Sequence, residues 1–438
     1  MTDILLIGHG AREHVIAETL MRSKHSPRIF SYLSSRNPGI ISLSEDFQTG
    51  NYDDIESIIN FAWKSNPEFV FIGPEDPLAE GIVDALESIS IPSIGPKKVL
   101  AQLETDKAFT RELIEEFNIN GNPRFEIFTR ENISEAKHFL ESLESAVIKP
   151  SGLTGGKGVK VQGDHFQTKE EVLAYIHDIL KKHPKVVIEE KLEGEEFSLM
   201  CLTDGKEVIP FPPVQDHKRA YDKDLGPNTG GMGSYSDRDF LLPFLTKKDV
   251  EDGLDITQEV IKGLYQKTGV YYKGIIYAGL IATSKGVKII EYNARFGDPE
   301  VMNVLPILKT DFVELCRAVI NQDLERVTLD FEKKATVCKY LVPEGYPENP
   351  KTNQKINIRN ISGNSRLYYA SVYQQGNDIY TTSSRSIACV GIADDLSEAE
   401  KIAEESVHSI RGNLFHRKDI GTNELIQKRV NHMRLLRS

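Results

Sequence analysis

The sequence predicts a multidomain α/β and α+β protein. It should have an N-terminal doubly wound parallel-sheet domain, a mixed central unit and a small mixed β/α unit at the C-terminus. Three observations carry this. Over the first hundred residues short apolar runs alternate with helical spacings, as in a parallel sheet with crossover helices. From about Lys107 to Thr310 hairpin signals and long polar loops interrupt that alternation. From Lys334 onwards four apolar runs precede one amphipathic helix.

In the first unit, Ile4 to Ile7 is a strand, Gly8-His9-Gly10 a loop and Arg12 to Met21 a helix. Arg28 to Leu33 is a second strand, closed by Asn37-Pro38-Gly39 as a turn. A helix follows at Ile55 to Trp63, a third strand at Phe69 to Ile72, a helix at Leu78 to Leu86 and a strand near Ser93-Ile94. Such sheets bind ligands at the carboxyl ends of their strands. In the central unit Val147 to Pro150 and Val186 to Glu190 are strands. Ile275 to Thr283 and Val287 to Asn293 form a hairpin about Ser284-Lys285-Gly286. In the last unit strands are expected at Ala335 to Val342, Leu367 to Tyr373, Ile379 to Thr382 and Ile387 to Ile392. A helix from Ser397 to Ile410 is capped near Asp394-Asp395.

The 438 residues, 39% hydrophobic and 27% charged, suit a globular chain with ample core. No apolar run is long enough for a membrane span. The opening residues lack a basic n-region, so no secretory leader is expected. The four cysteines (Cys201, Cys316, Cys338, Cys389) form no CxxC pair, which argues against a zinc site or disulfides and fits a reducing cytoplasm. A net charge of −12 offers no footprint for nucleic acid.

Chemistry concentrates in a few stretches. In Ile290-Glu291-Tyr292-Asn293-Ala294-Arg295, a regular strand would put Glu291, Asn293 and Arg295 on one face. A carboxylate beside an amide oxygen suits Mg²⁺, and the guanidinium suits phosphate or carboxylate; the plainer reading is a polar strand end. Lys149-Pro150-Ser151-Gly152-Leu153-Thr154-Gly155-Gly156-Lys157-Gly158 puts four glycines and two lysines where a strand ends, a backbone nest for polyphosphate or else a loose hairpin. It is not a Walker A loop, since Ser151 and Gly158 stand at defining positions. Gly8-His9-Gly10-Ala11-Arg12-Glu13 opens like a dinucleotide fingerprint and fails it at Glu13. The turn could hold a phosphate through its amides and Arg12, or merely pack. Glu189 to Glu196 could offer main-chain groups to a purine, or be an acidic linker. The long polar loops Gln215 to Arg219 and Gly226 to Gly233 carry the mark of function.

Together these motifs resemble the ATP-grasp superfamily and, within it, the phosphoribosylamine–glycine ligase family. The resemblance spans nearly the whole chain. It runs from Gly8 to His14 and Gly73-Pro74-Glu75, through Lys107, Lys149 and Glu189-Glu190, to Gln215 to Arg219, Gly226 to Gly233, Glu291 to Glu300 and Arg417 to Gly421.

That resemblance implies ATP-dependent joining of glycine to 5-phosphoribosylamine, with Mg²⁺ or Mn²⁺. It implies a substrate domain at 1–104, an ATP-grasp domain at 105–320 with a mobile lid at about 125–192, and a C-terminal domain at 321–438. Lys107 and Lys149 would contact ATP phosphates, under a loop formed by Ser151, Gly152, Gly155, Gly156, Lys157 and Gly158. Glu189 and Leu192 would meet adenine through main-chain groups, and Glu196 the ribose. Glu291 and Asn293 would hold the metal. Asp216 and Arg295 would serve glycine and its activated form, with Lys149 in the chemistry. The turns Gly10-Ala11-Arg12, Asn37-Pro38-Gly39 and Pro74-Glu75 would receive phosphoribosylamine. A cytoplasmic monomer or weak homodimer is expected, with no nucleic acid or membrane partner.

Two departures stand out. No acid occurs in Tyr277-Ala278-Gly279-Leu280, where many ATP-grasp enzymes place a further metal ligand. Lys149-Pro150-Ser151-Gly152 replaces the more usual Lys-Ala-Asp-Gly. The competing readings are another ATP-grasp ligase or carboxylase, and a non-catalytic nucleotide sensor. Glu13, with no acid after the second strand, disfavours a dinucleotide oxidoreductase.

Overall fold

The computed structural model describes residues 2–152, 158–359 and 363–438. The first unit is a five-stranded parallel sheet in the spatial order Ser44–Thr49, Pro27–Leu33, Thr2–Ile7, Phe69–Ile72, Ser93–Ile94. Strand order reverses between Thr2–Ile7 and Phe69–Ile72, so the loops at Gly8 and Gly73 open side by side, as doubly wound sheets require of a ligand crevice. The edge strand Ser44–Thr49 was not foreseen; SEDFQT is polar and half-exposed. Asn37-Pro38-Gly39 starts a helix, Pro38–Leu43, rather than a turn. Asn37 Oδ1 accepts from the amides of Gly39 (2.9 Å) and Ile40 (3.2 Å), with proline at the first helical position. The helix expected over Leu78 to Leu86 is two, Glu75–Glu80 and Ile82–Ser88, parted at Gly81, whose φ of +88° suits glycine.

A second unit is an antiparallel sheet ordered Phe125–Phe128, Val186–Glu190, Ala146–Pro150, Lys160–Val161, backed by helices Ala136–Glu141 and Lys169–Lys182. It has its own core around Phe128, Phe139, Ile148, Ile176 and Ile188. The main core runs on from the first unit into the central and C-terminal sheets. A layer with a separate core and few shared apolar contacts can shift as a body.

Beneath it lies the antiparallel sheet Val208–Pro210, Glu195–Thr203, Gly274–Thr283, Gly286–Asn293. It is braced by helix Lys247–Thr268, which a Thr246–Asp249 capping box starts and left-handed Gly269 ends. The C-terminal sheet takes its first two strands, Gln215–Asp216 and Gly233–Ser236, from the central segment. It continues through Ala335–Pro343, Ile387–Ala393 and Ser365–Tyr369, so it crosses the boundary expected at 320–321. The strand expected over Leu367 to Tyr373 is divided between this sheet and a smaller one that begins at Val372–Gln375.

Candidate active site

The strand Gly286–Asn293 does not stay regular. Gly279 faces Glu291 while Leu280 faces Ile289, so Ile290 is an extra residue, a β-bulge that frees its carbonyl from the ladder. Lys149 Nζ donates to that carbonyl at 2.8 Å and Arg111 Nη2 at 2.9 Å. Beyond the bulge Glu291 and Asn293 project from alternate positions. Neither makes a hydrogen bond to another side chain among the described residues. Burial pushes the Glu291 carboxyl up, but Lys218, Lys107, Lys149 and Arg295 outweigh burial and hold it below the usual carboxylate range.

Lys149 is buried at the end of Ala146–Pro150, 2.7 Å from Glu189 Oε2. Burial pulls its ammonium below the ordinary lysine value, against the attraction of Glu189. Glu189 sits on an inner strand with Phe125 and Val147 on either side, and its buried carboxylate also takes a fork from Arg111 (2.7 and 3.0 Å). Its side chain is thus an ion-pair anchor; Leu192 follows the end of that strand. Lys107, first residue of helix Lys107–Glu116, donates to the Gly152 carbonyl at 3.1 Å. Ser151 Oγ donates to Asp106 Oδ1 at 2.5 Å and accepts from the Ala108 amide at 3.1 Å. Asp106 caps that helix, so the base of the glycine loop is fixed to its N-terminus. Gly152 has φ +134°. Gly158, at the loop's far end, accepts from Tyr175 Oη at 2.8 Å. Gly155, Gly156 and Lys157 lie outside the described residues.

Across the gap, Lys218 Nζ stands 3.8 Å from exposed Glu196 and 3.9 Å from Glu291. Although burial opposes it, those two acids hold its pKa well above the ordinary lysine value. Asp216 Oδ1 is sealed from solvent and finds no hydrogen-bond partner among the described residues. Burial, then neighbouring Glu300, raises the Asp216 carboxyl well above its usual range. Glu300 Oε1 accepts from Ser198 Oγ at 2.9 Å, and Ser198 Oγ also meets Tyr277 Oη at 2.8 Å. Half-buried Asp216 and buried Glu300 thus repel one another, and Lys218 and Arg385 oppose that effect on Asp216 only in part.

Other expectations need correction. Arg295 lies past the strand end and does not share the Glu291 face. Its Nη2 is 2.9 Å from Glu104 Oε1 and its Nε 3.2 Å from Glu75 Oε2. Burial pushes Glu104 up to about 7, while the half-buried Glu75 is held at about 2 by Arg295 and Arg12 against the cost of desolvation. Glu75, next to Pro74, is therefore paired inside the protein. In the first turn the Gly10 amide and Arg12, read as able to hold a phosphate, are both engaged by Glu13. Its carboxylate accepts from the Gly10 amide and from Arg12 Nε, each at 2.6 Å, while Ala11 is buried as the first residue of the helix. Asn37 is fully buried, and its Nδ2 donates to the carbonyls of His9 (2.8 Å) and Tyr369 (2.7 Å). A Cβ on Gly39 would come within 2.1 Å of the His14 ring. Asn37 thus joins the first unit to the last.

Models of phosphoribosylglycinamide synthetase match the chain in three successive parts: its N domain at residues 2–104, its ATP-grasp (A) domain at 105–301 and its C domain at 336–423. The chain belongs to the phosphoribosylglycinamide synthetase family. It is 50% identical over 434 residues to phosphoribosylamine–glycine ligase of Methanosarcina barkeri, covering 99% of both chains. It is 49% identical over 434 residues to the enzyme of that name from Methanosarcina acetivorans, covering 99% of this chain and 98% of the other. The crystal structure of phosphoribosylamine–glycine ligase from Thermotoga maritima superposes with a TM-score of 0.80 at 25% identity, covering 95% of this chain and 99% of that one. The biotin carboxylase domain of 2-oxoglutarate carboxylase from Hydrogenobacter thermophilus matches at a TM-score of 0.73, covering 99% of this chain and 94% of that one. At 15% identity that likeness concerns the fold alone.

Within this family framework several residues escaped the sequence. Arg111 is one turn after Lys107 on the same helix face, a spacing that could have flagged it. Lys218 and Glu300 lay inside quoted motifs without a role. Arg385 carried no local signal, yet its Nη1 donates to Gly230 (2.7 Å), Gly231 (3.0 Å) and Asp298 (3.0 Å) carbonyls. Arg417, fully buried, braces the other polar loop through Asp224 (3.1 Å) and the Arg219 carbonyl (3.2 Å). Among the described residues no three His, Cys, Asp or Glu side chains form a metal cluster. Glu291 and Asn293 fit an ion that takes one or two protein oxygens and completes its shell with phosphate and water, the habit of Mg²⁺.

Proposed function

We propose that this chain joins glycine to 5-phosphoribosylamine, giving glycinamide ribonucleotide, ADP and phosphate. One observation carries the reading: Lys218 stands 3.9 Å from Glu291 and Lys149 donates to the neighbouring Ile290 carbonyl, while Lys107 also lowers the Glu291 carboxyl, cations that suit a triphosphate tail and its metal. Glu291 and Asn293 would hold Mg²⁺, or Mn²⁺ as the alternative ion, which supplies charge neutralisation on the phosphate oxygens.

A carboxylate does not acylate an amine directly, because oxide is a very poor leaving group. Glycine's carboxylate oxygen attacks the γ-phosphorus, ADP departs, and glycyl phosphate forms. The phosphoribosylamine nitrogen then attacks the acyl carbon; phosphate leaves and the nitrogen loses a proton. The protein positions these partners and neutralises charge. Lys107 and Lys149 bind the phosphates, with Ser151 and Gly152 anchoring the glycine loop above them. Leu192 and the Glu189 backbone face adenine, and Glu196 the ribose. Asp216, beside Glu300, takes the glycine ammonium, which gives its unpaired Oδ1 a partner. Arg295 holds the loop after the metal strand to Glu75 and Glu104. The second layer, residues about 125–192, excludes water from the acyl phosphate. The chain would work on small molecules in the cytoplasm, as a monomer or weak homodimer. No helix among the described residues is long and apolar enough to cross a membrane.

ADP release measured with glycine, fresh phosphoribosylamine, both or neither tests the reading. Release that needs both supports it; release driven by another amino acid overturns it.

A further inference from the structure

Glu189 is shared by two cations, and only one of them has a second task. Lys149 Nζ lies 2.7 Å from Glu189 Oε2 and on the proposed reading must turn to a phosphate. Arg111 makes its hydrogen bonds to protein groups. Its Nε and Nη2 fork onto both oxygens of Glu189 (2.7 and 3.0 Å). Nη2 also reaches the carbonyls of Ile289 (3.1 Å) and Ile290 (2.9 Å), and Nη1 reaches Asn122 Oδ1 at 3.1 Å. Arg111 and Glu189 are 2% and 3% exposed. A buried carboxylate stripped of its only partner is strongly unfavourable. Were Lys149 the sole counter-ion of Glu189, each departure towards ATP would leave that charge bare.

We infer that Arg111 is a positioning residue: it is the permanent counter-ion of Glu189 and so frees Lys149 to exchange the carboxylate for a phosphate. The same guanidinium fixes the Ile290 bulge, where Lys149 also donates (2.8 Å). One side chain thereby ties the strand that carries Glu189 to the strand that carries Glu291 and Asn293. The inference rests on Lys149 as a phosphate ligand, and the test separates the two ideas.

The probe is a nonhydrolysable ATP analogue with Mg²⁺, titrated calorimetrically into the full chain, with thermal midpoints recorded alongside. Lys149→Ala tests the underlying reading, and binding equal to wild type would remove it. Arg111→Met leaves Lys149 as the only partner of Glu189, so analogue binding should weaken about tenfold or more. The decisive variant is Arg111→Met with Glu189→Gln. With no carboxylate to retain Lys149, binding should return to within about threefold of wild type, although both residues are lost from the core. If the double variant binds as weakly as Arg111→Met, or if Arg111→Met binds normally, the exchange role is wrong. Should Arg111→Met not fold, Arg111→Gln, which removes the charge and keeps a hydrogen-bond donor, gives the same comparison with and without Glu189→Gln.

Discussion

Arg295 Nη2 lies 2.9 Å from Glu104 Oε1, and this contact ties the end of the strand Gly286–Asn293 to the helix Lys98–Thr105. Glu75, from the N-terminal sheet, meets the same guanidinium. Arg295→Met would leave buried Glu104 and half-buried Glu75 short of their cation, and stripping one buried acid of its partner typically costs about 3–5 kcal/mol. Urea unfolding should show that loss. A midpoint unchanged from wild type would mean that Arg295 is free for substrate and not a structural hub.

Glu291→Ala removes the acidic half of the proposed metal pair. Ligation should fall by about 10²–10³ or more, with the thermal midpoint little altered because the carboxylate makes no side-chain hydrogen bond among the described residues. Chelation of divalent ions should have the same effect on wild type, and added Mg²⁺ should reverse it. Turnover of Glu291→Ala near the wild-type rate would remove the metal assignment.

Gly231 has φ +106°, and a Cβ there would sit 2.5 Å from Pro299 Cδ and 2.7 Å from Asp216 Oδ1. Gly231→Ala must therefore push Asp216 from its place. The KM for glycine should rise about tenfold to a hundredfold, while binding of an ATP analogue stays as it was. Equal loss for both ligands would show general damage instead of a glycine site beside Asp216.

His14 joins the first and last units: its Nδ1 accepts from the Tyr369 amide at 3.0 Å, and its ring stacks on Tyr369. Burial pulls its pKa down to about 4, whereas an unfolded histidine titrates near about 6.5. Between those values only the unfolded chain takes up the proton. Stability should thus decline as pH falls from 6.5 towards 4, by up to about 3 kcal/mol from this group. His14→Gln should flatten that part of a urea midpoint against pH plot; an unchanged slope would contradict the buried, neutral ring.

The parallel sheet and the hairpin Gly274–Asn293 were legible because apolar alternation and turn residues are local signals. The Ser44–Thr49 edge strand was not, since half-exposed SEDFQT carries no such pattern. Asn37-Pro38-Gly39 reads equally as a turn or as a helix start, and only the Tyr369 carbonyl, over three hundred residues away in sequence, explains why Asn37 is buried. The lysines and Glu291 could be picked out as charges on a β frame. The direction of Arg295 could not, because the strand ends at Asn293 and the guanidinium turns to Glu104 and Glu75, both distant in sequence. The fit of Glu13 into the first turn likewise depends on Gly8 and Gly73 lacking side chains, for a Cβ on either would lie 2.2 Å from a Glu13 atom.

The most direct test of the chemistry follows one oxygen. Glycine labelled with ¹⁸O in its carboxylate is turned over with ATP and phosphoribosylamine, and the released phosphate is analysed by mass. Attack of that carboxylate on the γ-phosphorus transfers one labelled oxygen to phosphate in every turnover. Unlabelled phosphate, formed while glycinamide ribonucleotide accumulates, would contradict the glycyl phosphate route and with it the purpose assigned to the lysines around Glu291.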